Sequence, residues 1–208
     1  MRFWNPPDLV RWNLSKRYLL DLEQRGVGVV PTVMVDEPAA LHLPLVLAER
    51  GWAAAVVKPA IAASGHQATL VTPESVRDVA AAIDQGHLRR PAMVQPFLED
   101  IRTRGEWSLI FIDGELTHAM LKHPAPEDFR VHATYGGTST RATLGAWWKP
   151  GGGTLAALPV APLYARVDGV DTRRGFVVME LEVHEPSLYF GPAPEAAVVF
   201  ADAIVRRL

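Results

Sequence analysis

The sequence predicts an α+β fold assembled from antiparallel hairpins and helices. Residues 106–112 and 115–122 read as strands on either side of Asp113-Gly114, a dipeptide that strongly favours a hairpin turn. Residues 163–167 and 176–183 form a second predicted strand pair. The remaining predicted strands cover 27–33, 53–58, 68–71 and 92–98, and the predicted helices cover 14–25, 39–50, 73–86 and 195–208.

Composition restricts the class of protein. The 208 residues suffice for one large domain or two small lobes. A net charge of -2 argues against a nucleic-acid groove or an anionic membrane surface as the partner. The absence of cysteine excludes disulfides, thiol catalysis and a cysteine-based zinc site. Because no apolar run approaches membrane-spanning length, we expect a soluble, cytoplasmic protein.

Carboxylates are concentrated in the last predicted strand pair. Glu180 and Glu182 alternate with apolar residues, so they project to the same side of the strand. An antiparallel neighbour carrying Arg166 and Asp168 would bring a third carboxylate beside them. Such acids repel one another unless a cation neutralises them, and oxygen ligands suit Mg2+. The alternative is an exposed sheet face whose acids are simply solvated.

Lysines are scarce, which makes Lys16 and Lys58 informative. Lys16 falls in the first turn of a predicted helix, and Lys58 ends a predicted buried strand. The small-residue loop containing Ser64-Gly65 follows and could close its backbone over phosphates. A solvated lysine and a plain hairpin are the alternatives for these two features.

Pro96 interrupts the predicted strand 92–98. A proline inside a strand should leave backbone groups unpaired near Gln95 and Phe97, where an adenine edge could be read. The alternative is an edge strand that ends a lobe.

Together these features resemble the ATP-grasp superfamily over nearly the entire chain. The resemblance is to the glutathione synthetase and ribosomal-protein glutamate ligase branch, and particularly to O-ureido-D-serine cyclo-ligase-like proteins, which share an ending like segment 180–188. It implies two lobes, each with a largely antiparallel sheet and helices, that hold a nucleotide between them. We expect these lobes at 1–97, with the lysines and phosphate loop, and at 98–208, with the magnesium and substrate site.

The resemblance also implies ATP and Mg2+ as cofactors and assigns roles to individual residues. The expected nucleotide-binding residues are Lys16, Lys58, Ser64, Gly65, Gln95, Phe97, Leu98, Asp100 and Glu106. The expected catalytic residues are Lys122, Arg130 and Arg166, with the glycines Gly136-Gly137 beside them. The expected magnesium ligands are Asp168, Glu180 and Glu182.

Three departures from the family pattern stand out. Glu182 occupies a metal position where glutathione synthetases usually have asparagine, and Ser108 stands where the branch often has arginine. Family members usually carry a smaller domain before the first lysine, and this sequence begins only a short distance upstream of it. The two alternatives are a truncated sequence and a homodimer or partner chain that replaces this surface. The adjacent Trp147 and Trp148 would line an acceptor pocket or contact such a partner.

The implied activity is a carboxylate-amine or carboxylate-nucleophile ligase that uses ATP and proceeds through an acyl phosphate, with small-molecule substrates. Catalysis would consist of positioning and charge neutralisation. The alternative functions are a nucleotide-binding subunit or pseudoenzyme that needs a partner for its acceptor site, and a kinase-like phosphotransferase.

Overall fold

The computed structural model describes residues 3–37, 41–88, 91–145, 148 and 153–208. Its helices are α1 (Pro7–Asn13), α2 (Tyr18–Gln24), α3 (Leu43–Arg50), α4 (Val76–Asp84), α5 (Asp100–Arg104) and α6 (Pro194–Arg206). Its strands are β1 (Val33–Val35), β2 (Ala55–Pro59), β3 (Thr69–Val71), β4 (Ala92–Pro96), β5 (Glu106–Ile112), β6 (Glu115–His123), β7 (Thr138–Arg141), β8 (Tyr164–Thr172) and β9 (Gly175–Glu182). A 3-10 helix spans Ala133–Tyr135. None of the helices described is long and apolar enough to cross a membrane.

The chain divides into two compact units. Unit 1 comprises Met1–Leu14, Tyr18–Val29 and Asp100–Leu208, and unit 2 comprises Ser15–Arg17 and Val30–Glu99. The crossing at Glu99 lies two residues from the predicted lobe boundary. The first 29 residues divide differently from the predicted lobes, because α1 and α2 attach to strands of unit 1. The lobes at 1–97 and 98–208 stay a prediction.

Unit 2 contains a four-stranded sheet in the order β1-β4-β2-β3, with every neighbouring pair antiparallel. One face packs on α3 and α4 through a core that includes Leu43, Leu47, Val57, Ile83 and Val94. Gly51 closes α3 in the left-handed conformation, at a φ of 64°.

Unit 1 contains a five-stranded antiparallel sheet in the order β7-β6-β5-β8-β9. Both predicted hairpins are confirmed. Asp113 and Gly114 have φ values of 53° and 87°, the positive values that a tight hairpin turn of this kind requires. Burial of α6 involves Ala196 and Ala203, which belong to a core with Ile112 and Leu163.

Two buried polar side chains attach the N-terminal helices to β9. Asn13 donates to the Leu181 carbonyl at 2.8 Å and accepts from the Val183 amide at 3.1 Å. The Tyr18 hydroxyl accepts from the Leu181 amide at 2.9 Å. These bonds satisfy backbone groups on the strand that carries Glu180 and Glu182, and so fix its position.

Several element predictions are wrong. The helix predicted over 14–25 begins at Tyr18, because the Lys16 amide bonds the distant Ala60 carbonyl at 2.8 Å instead of starting the helix. The strand predicted over 27–33 is displaced to Val33–Val35. The edge-strand reading of β4 is also wrong, since β4 lies between β1 and β2.

Candidate active site

One face of the unit 1 sheet collects the charged residues. Strand register places Lys122 opposite Glu106, Ser108 opposite Asp168, Asp168 opposite Glu180, and Arg166 opposite Glu182. Residues two apart on a strand project to the same side, so all of these side chains share one face. The predicted juxtaposition of Asp168 with Glu180 and Glu182 is therefore confirmed.

Asp168 lies at the centre of this face and is buried. Its Oδ1 accepts from Ser108 Oγ at 2.5 Å and from Arg166 Nε at 3.0 Å. Its Oδ2 accepts from Arg166 Nη2 at 2.9 Å and lies 3.6 Å from Lys122 Nζ. Burial raises the pKa of Asp168, but the charges of Arg166 and Lys122 outweigh it and hold the pKa well below its usual value. Asp168 is therefore ionised at neutral pH.

The two buried bases each contact two acids. Lys122 Nζ lies 2.5 Å from Glu106 Oε1 as well as near Asp168, and Arg166 Nη2 bonds Glu182 Oε1 at 2.5 Å. Burial lowers the pKa of each base, and the neighbouring carboxylates outweigh it, so that both pKa values are raised. Both cations stay charged on this face.

The cluster neutralises Glu182 only in part. Burial raises its pKa to about 8, with further contributions from Asp168 and Glu180 that Arg166 and Lys122 only partly offset. Arg166 stabilises the charged form of Asp168 more than that of Glu182, because three of its guanidinium hydrogen bonds go to Asp168 and one to Glu182.

Glu182→Gln tests this distribution of charge by the pH dependence of stability. The usual pKa of Glu182 is 4.5, and in the folded protein it is about 8. The folded state therefore binds this proton more tightly than the unfolded state, and the resulting stabilisation is fully present below pH 4.5. This stabilisation is lost as the pH rises through the folded-state pKa of about 8. We expect the unfolding midpoint of metal-free wild type to fall relative to Glu182→Gln between about pH 4.5 and 8. Parallel profiles would contradict the assignment, and exposed Glu115→Gln is the matched control.

The donor set of this face fits Mg2+ when substrate supplies the remaining ligands. No three His, Cys, Asp or Glu side chains within the described residues are grouped so as to hold a metal by themselves. Mg2+ in nucleotide sites is usually bound by one or two carboxylates together with water and phosphates. Asp168, Glu180 and Glu182 offer only oxygen donors, and with Glu106 the acids of this face outnumber its two bases, Lys122 and Arg166.

Arg130 lies outside this cluster of ion pairs. Its guanidinium bonds Asp128 twice, with Nε at 3.0 Å from Oδ1 and Nη2 at 2.7 Å from Oδ2, and it stacks 3.4 Å from the centre of the Tyr135 ring. These contacts hold the group rigidly within its own loop. Its catalytic role stays a prediction.

Unit 2 places the predicted phosphate-binding groups around one loop. Lys16 is buried, and its Nζ donates to the Ala62 carbonyl at 2.6 Å, at the start of the loop that carries Ser64 and Gly65. Ser64 has a φ of 53° and Gly65 a φ of 66°. Contrary to the sequence prediction, Lys16 lies in a turn before α2 and not in its first turn.

Lys58 lies on the face of the unit 2 sheet opposite the helices. The register pairs Val56 with Gln95 and Lys58 with Met93, so Lys58 and Gln95 share a face, while Val57 points into the helix-covered core. Gln95 is buried and donates to Thr32 Oγ1 at 3.0 Å. The prediction that the Phe97 amide is unpaired is wrong, because this amide donates a hydrogen bond to the Ala54 carbonyl at 2.9 Å.

The other predicted nucleotide residues fall in both units. Phe97 and Leu98 belong to unit 2, whereas Asp100 begins α5 and Glu106 begins β5 in unit 1. Trp148 packs against Phe111 and Phe176, at ring-centre distances of 6.2 and 6.3 Å, and Trp147 lies outside the described residues.

Sequence reasoning missed two groups near the charged face. The buried Tyr18 hydroxyl has a pKa raised by burial and by the charge of Glu180. The pKa of His132 is lowered by burial, against the influence of Glu106 and other acids. Tyr18 gives no signal among the apolar residues of its helix, whereas His132 stands four residues before the glycine pair already singled out.

The fold and this charged face define a class of protein, and the family comparison agrees. Residues 30–147 match the family described as "Prokaryotic glutathione synthetase, ATP-grasp domain". The chain therefore belongs to the ATP-grasp family of prokaryotic glutathione synthetase, an ATP-binding ligase family. This confirms the predicted superfamily and its α+β fold.

Comparison with individual proteins shows which members of the family this chain resembles. It is 34% identical over 227 residues to Cycloserine biosynthesis protein DcsG of Streptomyces lavendulae, and this match spans 100% of the chain and 74% of that protein. The crystal structure of D-cycloserine synthetase DcsG matches it with a TM-score of 0.85 and 28% identity, over 100% of this chain and 74% of that one.

A more distant structure shows the same fold. The ATP-grasp ligase PsnB, complexed with a phosphomimetic variant of minimal precursor, Mg and ADP, matches with a TM-score of 0.69 and 17% identity. The match covers 97% of this chain and 61% of that one.

Proposed function

We propose that this protein is an ATP- and Mg2+-dependent ligase that activates a carboxylate as an acyl phosphate, with release of ADP. An amine or similar nucleophile then forms the C–N bond and displaces inorganic phosphate. The observation that supports it most is the buried cluster in which Arg166 and Lys122 flank Asp168 on one sheet face. The similarity to DcsG agrees with this class of reaction.

Charge stabilisation is the main task of the cluster in this proposal. ATP supplies the phosphoryl group, and Mg2+ offsets the charge of its phosphates. Arg166 and Lys122 are held by carboxylates before any substrate binds, so little reorganisation is needed when negative charge develops nearby. Preorganised donors of this kind each contribute roughly 3–4 kcal/mol to transition-state stabilisation in other enzymes.

The remaining roles are assigned as follows in this proposal. Lys16 and Lys58 bind phosphates, and the Ser64-Gly65 loop covers them. Gln95, Phe97 and Leu98 contact adenine, while Asp100 and Glu106 line the ribose side. Asp168, Glu180 and Glu182 hold Mg2+, and Arg130 faces the transferred phosphoryl group or the substrate carboxylate.

The test supplies the purified protein with ATP, Mg2+ and hydroxylamine, together with D- and L-amino acids and O-ureido-D-serine as candidate carboxylates. We expect ADP and a hydroxamate that both depend on one of these carboxylates, because hydroxylamine captures acyl phosphates. A stable phosphorylated product without hydroxamate would replace ligation with phosphotransfer. Nucleotide binding without ADP formation would instead favour a nucleotide-binding subunit or pseudoenzyme that needs a partner chain, such as a second copy, for its acceptor site.

A further inference from the structure

His132 is held in a fixed backbone position at the edge of the charged face. Its carbonyl accepts from the Tyr135 amide at 2.9 Å and from the Gly137 amide at 3.1 Å. A Cβ atom at Gly137 would lie 2.2 Å from the Val131 carbonyl oxygen, so only glycine permits this approach. The loop therefore fixes the peptide that carries the imidazole.

The imidazole of His132 has one ring nitrogen that the protein leaves unpaired. Nδ1 is buried and has no hydrogen-bond partner among the residues the structure describes. The edge-to-face ring of Tyr135, with centres 6.4 Å apart, packs against it without offering a polar atom to Nδ1. Buried polar nitrogens nearly always have a hydrogen-bond partner, so we expect Nδ1 to form its hydrogen bond with a bound ligand.

His118 shows how a structural histidine in the same unit differs. Its Nδ1 lies 3.0 Å from Thr117 Oγ1 and its Nε2 lies 3.0 Å from the Leu188 carbonyl, so both ring nitrogens are satisfied by the protein. His132 lacks such a pair of partners within the described residues, although it is also largely removed from water.

The surroundings of His132 determine which ligand suits it. The charges of groups on four strands act on the pKa of His132: Glu106 on β5, Lys122 on β6, Asp168 on β8 and Glu180 on β9. Burial lowers the pKa of His132, so the ring is neutral at neutral pH and offers no charge to attract a carboxylate. A neutral amine can donate to or accept from the nitrogen, and thus pairs with either imidazole tautomer, whereas a carboxylate only accepts.

We propose that Nδ1 of His132 hydrogen-bonds the incoming amine nucleophile and orients it beside the charged face. This inference rests on the proposed ligase function and extends it, because it assigns the acceptor site to the loop of residues 130–137. The hydrogen bond acts in the second half of the reaction, after the carboxylate has been activated.

His132→Asn and His132→Gln form a matched pair for the test. The asparagine amide reaches about as far from the backbone as Nδ1, and the glutamine amide about as far as Nε2. Hydroxylamine is the nucleophile probe, and its capture is read as hydroxamate formation. The first half-reaction is read separately, without nucleophile, as carboxylate-dependent positional isotope exchange in ATP labelled at the β,γ-bridge.

We expect His132→Gln to lower the second-order rate of hydroxamate formation about tenfold and His132→Asn to retain most of it. Isotope exchange should be unchanged in both variants. Unchanged hydroxylamine capture in His132→Gln, equal loss in both variants, or a parallel loss of isotope exchange would each overturn the assignment. Wild-type protein that shows no carboxylate-dependent exchange would instead refute the proposed ligase function itself.

Discussion

Replacing Glu180 by Gln is expected to lower Mg2+-dependent ADP formation by about 10²- to 10³-fold while the protein stays folded. Glu180 is half-buried and directly opposite Asp168 in the β8–β9 register. The substitution keeps the shape of the side chain and removes one negative charge that the metal would share. It also relieves repulsion, because the charge of Glu180 contributes to the raised pKa of Glu182.

Activity and folding are measured separately for this variant. ADP release is followed across a range of Mg2+ concentrations, and thermal unfolding is followed in chelator. Glu115→Gln, at the exposed start of β6, provides the control for loss of a carboxylate from the same sheet. Near-wild-type ADP formation by Glu180→Gln would remove Glu180 from the proposed magnesium site.

Lys122→Met is expected to lower the free energy of unfolding by roughly 3–5 kcal/mol. Lys122 is 4% exposed and contacts both Glu106 and Asp168, so its removal leaves the buried Asp168 and the partly buried Glu106 without a shared cation. Methionine fills a similar volume, and the loss is therefore electrostatic and not a cavity effect. Denaturant unfolding at neutral pH measures it.

A double substitution separates charge from packing. Lys122→Met combined with Glu106→Gln should recover part of the lost stability, because one of the unpaired charges is gone. Arg141→Met is the surface control: Arg141 pairs with Glu195 where both side chains are about half exposed, so its removal should cost less than about 1 kcal/mol. A similarly small effect for Lys122→Met would show that the cluster is well hydrated.

Local signals in the sequence predicted the parts of the fold that depend on neighbouring residues. Asp113-Gly114 specified its hairpin, because few residue pairs adopt two consecutive positive φ values. The alternation of Glu180 and Glu182 with apolar residues predicted that they share one face. The neighbouring predicted strand brought Arg166 and Asp168 to the same place, as the register shows.

Long-range contacts decided what the sequence could not predict. The helix at Tyr18 starts late because the Lys16 amide is paired with Ala60, which lies far along the chain. β7 consists of four exposed polar residues with no apolar alternation, and it exists only because β6 provides a pairing edge.

In the candidate active site, too, the sequence identifies residue types but not the long-range contacts between them. The acids and bases of the cluster could be named from the sequence, but their pairing depends on a register across β5, β6, β8 and β9. In the sequence Ser108 is only a departure from a family pattern, whereas in the structure it donates a hydrogen bond to Asp168. The sequence predicts no role for His132, since the burial of its Nδ1 depends on how the loop closes on Gly137.

Binding of a non-hydrolysable ATP analogue, measured by calorimetry with Mg2+ and then with chelator, tests the central claim most directly. The proposal predicts binding with a dissociation constant on the order of micromolar when Mg2+ is present, and strong weakening in chelator. Glu180→Gln should lose the response to Mg2+. The absence of binding in both conditions, or equal binding with and without Mg2+, would contradict a magnesium-dependent nucleotide site in this chain.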